Sequence, residues 1–182
     1  PERRVKVDEL HDLLRGIRAC PVPVIAAVEG GAAGAGLSLA LACDLIVAAK
    51  DAKFTAAYVK AGLVPDGGLT SAMSRLLPRP MVMEMCLMGR PVMATRFAEL
   101  GAINRVAGSG KAMEEAMALA DHLAAGPREA QGVIRGLVSQ AYETSEAEQL
   151  DAERNAMASA AGKDEAAEGI AAFLEKRPAS YK

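Results

Sequence analysis

Leu10, Leu13, Leu14 and Ile17 recur at helical spacing, and they predict a helix that Asp8 can cap. Pro21 and Pro23 end that helix, and the apolar run Val24–Val28 after them predicts a strand. Glycine and alanine fill the next stretch, after which Leu37, Leu39 and Leu41 carry a short helix to about Cys43. A second strand is predicted at Leu45–Ala48, which completes a strand, helix, strand unit of the parallel, right-handed kind. From Gly67 to Met88 the pattern is helical again, with a short strand to follow at Ile103–Val106. Beyond about Lys111 everything reads as helix. Breaks at Ala124–Pro127, Tyr142–Glu148 and Ala161–Glu165 cut this tail into four helices, and Ser145 and Glu148 have the spacing of a capping box. The pattern predicts an α/β body over residues 1–126 and a helical region over 127–182.

Composition narrows the function classes. Apolar residues make up 51% of the 182, enough for a sizeable core, while a net charge of -2 and an aromatic content of 3% supply neither the basic stripe nor the stacking rings of a nucleic-acid surface. No nucleic-acid partner is expected. Cys20, Cys43 and Cys86 are odd in number, lie in apolar surroundings and lack C-x-x-C spacing, so they read as reduced core thiols of an intracellular protein. The uncharged run Gly30–Cys43 is too short and too rich in glycine for a membrane span, and the stretch PERRVKVDEL lacks the apolar centre of a signal peptide. A cytoplasmic protein with no membrane partner is the expectation. His11 and His122 lie far apart with no cysteine or carboxylate at ligand spacing, so no metal is expected.

The stretch VIAAVEGGAAGAGLSLALACDL raises the chemical question, because a strand there runs through small residues straight into an apolar helix. Gly30, Gly31, Gly34 and Gly36 do not form G-x-G-x-x-G and no G-K-[ST] follows, which weakens a nucleotide-phosphate loop. A tight turn packed against the sheet is the structural alternative. A third reading is that N–H groups in the first helical turn, with no side chains in the way, donate to a developing oxyanion. In GLVPDGGLT, Asp66 after Pro65 and before Gly67 has an ordinary turn signature.

The segments CPVPVIAAVEGGAAGAGLSLALACDLIVAAKDAKF, GLVPDGGLT, GRPVMATRFAELGAINRV and EGIAAFLEKRPASYK, taken in order, resemble the crotonase (enoyl-CoA hydratase/isomerase) superfamily. The resemblance implies an α/β fold, a crotonase-like spiral of β-β-α turns with a C-terminal helical oligomerisation layer that joins homotrimers or hexamers. It implies acyl-CoA substrates, with coenzyme A part of the substrate and no separate cofactor. The family's chemistry is an enolate-like thioester oxyanion held by two backbone N–H groups; Ala35, between Gly34 and Gly36, matches the second donor. The family's chain begins several strands earlier, and that earlier part carries the first donor and much of the adenine pocket. Phe173 and Lys176 match positions from which the last helix reaches a neighbouring subunit's coenzyme A, while Asp44 matches a structural aspartate. Met73, Met81, Met83, Met85, Met88 and Met93 read as core filling, with an acyl-pocket lining as the alternative.

The family's hydratases use two glutamates to activate water, and this chain has Ser38 and Tyr58 at those positions. Both hydroxyls are candidates for substrate contact. Asp66 matches the single carboxylate of the family's double-bond isomerases, including the 3-enoyl-CoA and ring-epoxide isomerases, which makes it the expected catalytic base. Leu63, Val64 and Leu69 are expected to surround and desolvate it. The resemblance therefore implies an enoyl-CoA isomerase; the alternatives are a hydratase with displaced acid/base groups, a thioesterase, or a non-catalytic subunit that binds CoA thioesters.

Overall fold

The computed structural model describes residues 2–181, so the outer limits of the two expected regions, residues 1 and 182, lie outside it. The chain divides into two compact units, Pro1–Cys20 with Val24–Ala118 and Pro21–Pro23 with Leu119–Lys182.

The first unit opens with helix α1 (Glu2–Arg18), in which Asp8 is interior. The cap expected at Asp8 does not form, because an interior N–H already has a carbonyl one turn back and leaves nothing for a capping side chain to satisfy. Strands β1 (Ile25–Val28) and β3 (Leu45–Ala49) flank helix α2 (Ala35–Ala42), close to the expected spans. They pair in parallel, and β6 (Arg105–Ala107) adds to β3 to give the order β1-β3-β6. Two side chains fasten this sheet. Asp44 Oδ2 accepts from Val24 N–H at 2.8 Å, the structural role expected of it, and Asn104 Oδ1 accepts from Ile46 N–H at 2.7 Å.

A second sheet forms from elements too short for a periodic signal. Strand β2 (Gly31–Ala33) runs parallel to β4 (Lys53–Thr55), and β5 (Val92–Met93) pairs antiparallel to β4. A turn of 3₁₀ helix (Ala57–Ala61) follows β4. The helix expected from Gly67 to Met88 is two helices, α3 (Leu69–Leu76) and α4 (Arg79–Met88), because Pro78 disfavours helical backbone at the residue before it. Helix α5 (Ala94–Glu99) leads into β6. Leu37, Val47, Leu69, Met73, Met85 and the stacked rings of Phe54 and Phe97, 4.6 Å apart, fill the core. Of the expected core methionines Met83, Met88 and Met93 are exposed. Cys20, Cys43 and Cys86 are thiols, each half-buried.

Helix α6 (Ala112–Ala124) begins in the first unit, and α7 (Arg128–Gln140), α8 (Glu146–Ala161) and α9 (Asp164–Glu175) make up most of the second. All start and stop near the expected breaks. The Ser145 capping box is complete, since its hydroxyl accepts from Glu148 N–H and the Glu148 carboxylate accepts from Ser145 N–H. Glu165 closes the start of α7 by accepting from Glu129 N–H at 2.9 Å and Ala130 N–H at 3.0 Å. Ile134, Val138, Leu150, Met157, Ile170 and Phe173 nevertheless stay exposed. Among the described residues no helix is long and apolar enough to cross a membrane.

Candidate functional site

The glycine-led turn between β2 and α2 is held by the second sheet. Gly34 N–H donates to Thr55 O on β4 at 3.0 Å, which fixes the turn against the second sheet. Gly34 then takes φ 54° and ψ -126°, a backbone that side chains rarely adopt, and becomes the N-cap of α2 without any side-chain cap. Leu37 and Ser38 N–H return to Gly34 O, so the helix is entered abruptly. Ala35 and Gly36 occupy its first positions and are exposed, and a Cβ on Gly36 would meet nothing within 4 Å. The first N–H groups of a helix have no intrahelical acceptor and lie at the positive end of its dipole. No acidic side chain occupies the first turn of α2. A groove of about 510 Å³ borders this mouth, lined by residues that include Leu13, Ile17, Ala26, Val28, Ala33 and Leu39.

Ser38, Tyr58 and Asp66, which come from three different elements, meet beside that turn. Ser38 is buried one turn into α2, and its hydroxyl donates to Asp66 O at 3.1 Å. Leu69 N–H donates to the same carbonyl at 3.1 Å. Gly67 permits this approach: it has φ 60°, and a Cβ there would lie 2.9 Å from Ser38 Cβ and 3.0 Å from Leu14 Cδ1. Tyr58, in the 3₁₀ turn, donates its hydroxyl to Asp66 Oδ1 at 2.6 Å. Its ring lies against the turn, with Cζ 3.7 Å from where a Cβ on Gly34 would stand. Burial first, and the hydrogen bond to Asp66 second, push the Tyr58 phenol above its ordinary value, while Ser38 acts in the opposite direction.

The surroundings expected for Asp66 need correction. Leu69 is buried, but Leu63 and Val64 are exposed at 62% and 80%, so they do not enclose the carboxylate. The 3₁₀ turn ends at Gly62 in left-handed backbone, and Leu63 N–H is drawn back to Tyr58 O, which turns both side chains outward. Asp66 is half-buried, and the Tyr58 hydroxyl bonds its carboxylate.

Phe173 and Lys176 belong to the second unit, and this cluster to the first. Phe173 is 82% exposed on α9, and Lys176 ends that helix in left-handed backbone with φ 55°. Grooves in that unit are lined by helix faces such as Ala130, Val133, Ala156 and Ala160. Their ionic groups are engaged: Glu165 caps α7 and Glu129 pairs with Lys163 at 2.6 Å. Among the described residues no cluster of three or more His, Cys, Asp or Glu is placed to hold a metal ion.

Two contacts in the first unit had no sequence signal. Glu29, at the end of β1, accepts from Gly110 N–H and from Ala112 N–H, capping α6 from across the unit. The Tyr58 to Asp66 bond spans eight residues through a turn that no periodicity marks.

Residues 3–182 match the model of a protein family described as enoyl-CoA hydratase/isomerase. The 1,2-epoxyphenylacetyl-CoA isomerase of Escherichia coli (strain K12) is 36% identical over 182 residues, which is 100% of this chain and 70% of that protein. A probable enoyl-CoA hydratase of Rhodobacter capsulatus is 35% identical over 174 residues, 96% of this chain and 68% of the relative. Among solved structures, an enoyl-CoA hydratase from Polaromonas sp. JS666 superposes with a TM-score of 0.96 at 42% identity, covering 100% of this chain and 71% of that one. The chain thus spans about 70% of the length of these proteins.

Proposed function

The chain belongs to the enoyl-CoA hydratase/isomerase family, the crotonase superfamily, and from that premise we propose that its protein moves a double bond in an acyl-CoA thioester, with Asp66 as the base. Asp66 takes a proton from the carbon next to the thioester carbonyl of a 3-enoyl-CoA. The electron pair moves into an enolate, whose oxygen receives the Ala35 N–H. The same carboxyl group then returns a proton two carbons further on, which leaves the 2-enoyl isomer with atoms and charge in balance. Gly34 and Gly36 keep the approach to Ala35 clear, and coenzyme A is carried as part of the substrate.

The observation that carries this reading is the company Asp66 keeps. It is a carboxylate beside the glycine-led turn, and Ser38 and Tyr58, which the resemblance sets at the positions of a hydratase's glutamates, direct their hydroxyls to Asp66 itself. Hydration needs one group to activate water and a second to deliver a proton, whereas double-bond migration needs one group within reach of two carbons. An unperturbed tyrosine or serine hydroxyl is a poor base near neutral pH. The isomerase named among the relatives supports the same choice, while the relatives named hydratases keep hydration as the competing reading.

Ultraviolet absorbance at the conjugated thioester band tests it, with 3-enoyl-CoA and crotonyl-CoA offered to one preparation of the full-length protein. Isomerisation at least about tenfold faster than hydration is expected, with partial label uptake in deuterium oxide because a carboxylate can return the proton it took. Faster hydration overturns the isomerase reading. Silence with both substrates from a protein that still binds CoA thioesters favours a binding subunit or another substrate, such as a thioester destined for hydrolysis.

We also propose that the helices after Pro127 join copies of the chain into a trimer or hexamer, because Ile134, Val138, Met157, Ile170 and Phe173 leave apolar surface uncovered. In that arrangement Phe173 and Lys176 serve a neighbour's coenzyme A. Light scattering at micromolar concentration decides it: a monodisperse monomer counts against assembly. A cytoplasmic setting belongs to the same proposal.

A further inference from the structure

We propose that Tyr58 is the positioning residue of the base: its hydroxyl occupies one oxygen of Asp66, so that the other oxygen is the one that moves the proton. The inference rests on the assignment of Asp66 as base and adds what makes that base usable. A carboxylate on a loop has two equivalent oxygens and a terminal torsion with a broad minimum. Left alone, it would present either oxygen over a wide arc, and a misplacement of about 1 Å can cost roughly 10²-fold in rate.

Tyr58 removes that freedom at the side-chain end. Its hydroxyl lies 2.6 Å from Asp66 Oδ1, the length of a charge-assisted O–H···O⁻ bond. The phenol is itself held. The carbonyl of Tyr58 accepts from Gly62 and Leu63 N–H, which locks the turn it stands on, and its ring rests against the bare face of Gly34. The upward displacement of its titration keeps the hydroxyl protonated, and therefore a donor, throughout the neutral range. Ser38 and Leu69 secure the same residue at its backbone, since both donate to Asp66 O. Asp66 is thus pinned at two points, and Oδ2 is left as the oxygen that Tyr58 does not occupy.

The test measures kcat and KM for 3-enoyl-CoA isomerisation in the full-length protein, for wild type, Tyr58→Phe and Asp66→Asn. Tyr58→Phe is expected to lower kcat about tenfold with KM within about twofold. Site-specific 3-fluorotyrosine at position 58 keeps the ring and the hydroxyl, so its kcat is expected within about threefold of wild type. A packing role would raise KM as much as it lowers kcat. If Tyr58→Phe keeps the wild-type kcat while Asp66→Asn is inactive, the positioning role is wrong and the base assignment stands. If Asp66→Asn retains turnover, both fall. Should Tyr58→Phe fail to fold, site-specific 4-fluorophenylalanine, which fills the same space without a hydroxyl, takes its place, and a wild-type kcat in it overturns the proposal.

Discussion

In the first unit the side chains that fasten the sheets and the site join separate strands, turns and helix ends: Glu29 to Ala112, Asn104 to Ile46, Asp44 to Val24, Ser38 and Tyr58 to Asp66. In the second unit many of them reach a turn or less, as in Ser145 with Glu148, Asp151 with Arg154 and Arg177 with Glu175, and the longer ties join one helix to a neighbouring helix. The difference separates two kinds of order. Long-range bonds inside a half-buried site fix atoms relative to one another, which is what proton transfer requires. Local bonds on exposed helices stabilise each helix and specify little about what lies beside it, which leaves the apolar faces of Ile134 and Phe173 to another surface.

The sharpest way to break this comparison is to remove the chemistry and leave the scaffold. Asp66→Asn keeps the shape and the contact with Tyr58 but cannot accept a proton. Isomerisation is expected to fall by roughly 10²–10⁴-fold while binding of a saturated acyl-CoA stays within about threefold. Stopped-flow absorbance and calorimetric titration of the same preparation measure the two effects. A parallel loss of binding would mean that Asp66 organises the pocket and does not act in it.

Next in size is a change that spares every catalytic atom and disturbs their spacing. Gly67→Ala places a Cβ in left-handed backbone, at 2.9 Å from Ser38 Cβ. The expected cost is about 1–3 kcal/mol of unfolding free energy, with a loss of kcat larger than any rise in KM. Urea unfolding and steady-state kinetics check it, and an unchanged stability would show that α2 and the Asp66 turn can separate freely.

These two residues also mark how far the sequence could be read. The parallel β1 and β3 and the four tail helices were legible, because each rests on a run of apolar positions or on a local cap, and the bare helix mouth at Ala35 was legible from its glycines and alanines. Asp66 was legible as a candidate through the resemblance of GLVPDGGLT to a family motif. Its surroundings were not: adjacency in sequence suggested Leu63 and Val64, and the 3₁₀ turn brings Tyr58 instead. Strands β2, β4 and β5 are two or three residues long, too short for alternation to register, and β2 hides in the glycine-rich stretch. Glu29 carries no cue at all, since its partner at Ala112 lies 83 residues away.

A smaller effect sharpens the other side of the comparison. Ser145→Ala removes both arms of the hydroxyl's work at the start of α8, where it accepts from Glu148 N–H at 3.3 Å and donates to the Glu148 carboxylate at 2.7 Å. A loss of about 1 kcal/mol is expected, with isomerisation unchanged. Thermal unfolding followed by circular dichroism measures the first and the thioester assay the second. A drop in kcat would contradict the separation of roles between the two units.

The smallest expected effect depends on pH. Glu168 accepts both arms of the Arg177 guanidinium, at 2.7 and 2.9 Å, and Ser180 N–H at 2.7 Å, tying the segment after α9 back onto that helix. Arg177, first, and the Ser180 N–H, second, hold the Glu168 carboxyl down to about 2 from its ordinary value. A carboxyl lowered in the folded state contributes stability that is fully present above its unfolded value near pH 4.5 and is lost as pH falls through the folded value near 2. The pair lies at the surface, so water and salt screen much of it. Between pH 5 and 2 the melting temperature of wild type should therefore fall slightly more than that of Glu168→Gln, with the two differing most above pH 5 and converging towards pH 2. Scanning calorimetry across that range, repeated at high salt, measures the difference. A gap that is constant with pH would show that Glu168 acts through neutral hydrogen bonds to the Arg177–Ser180 segment, and charge would then have no part in closing the end of α9.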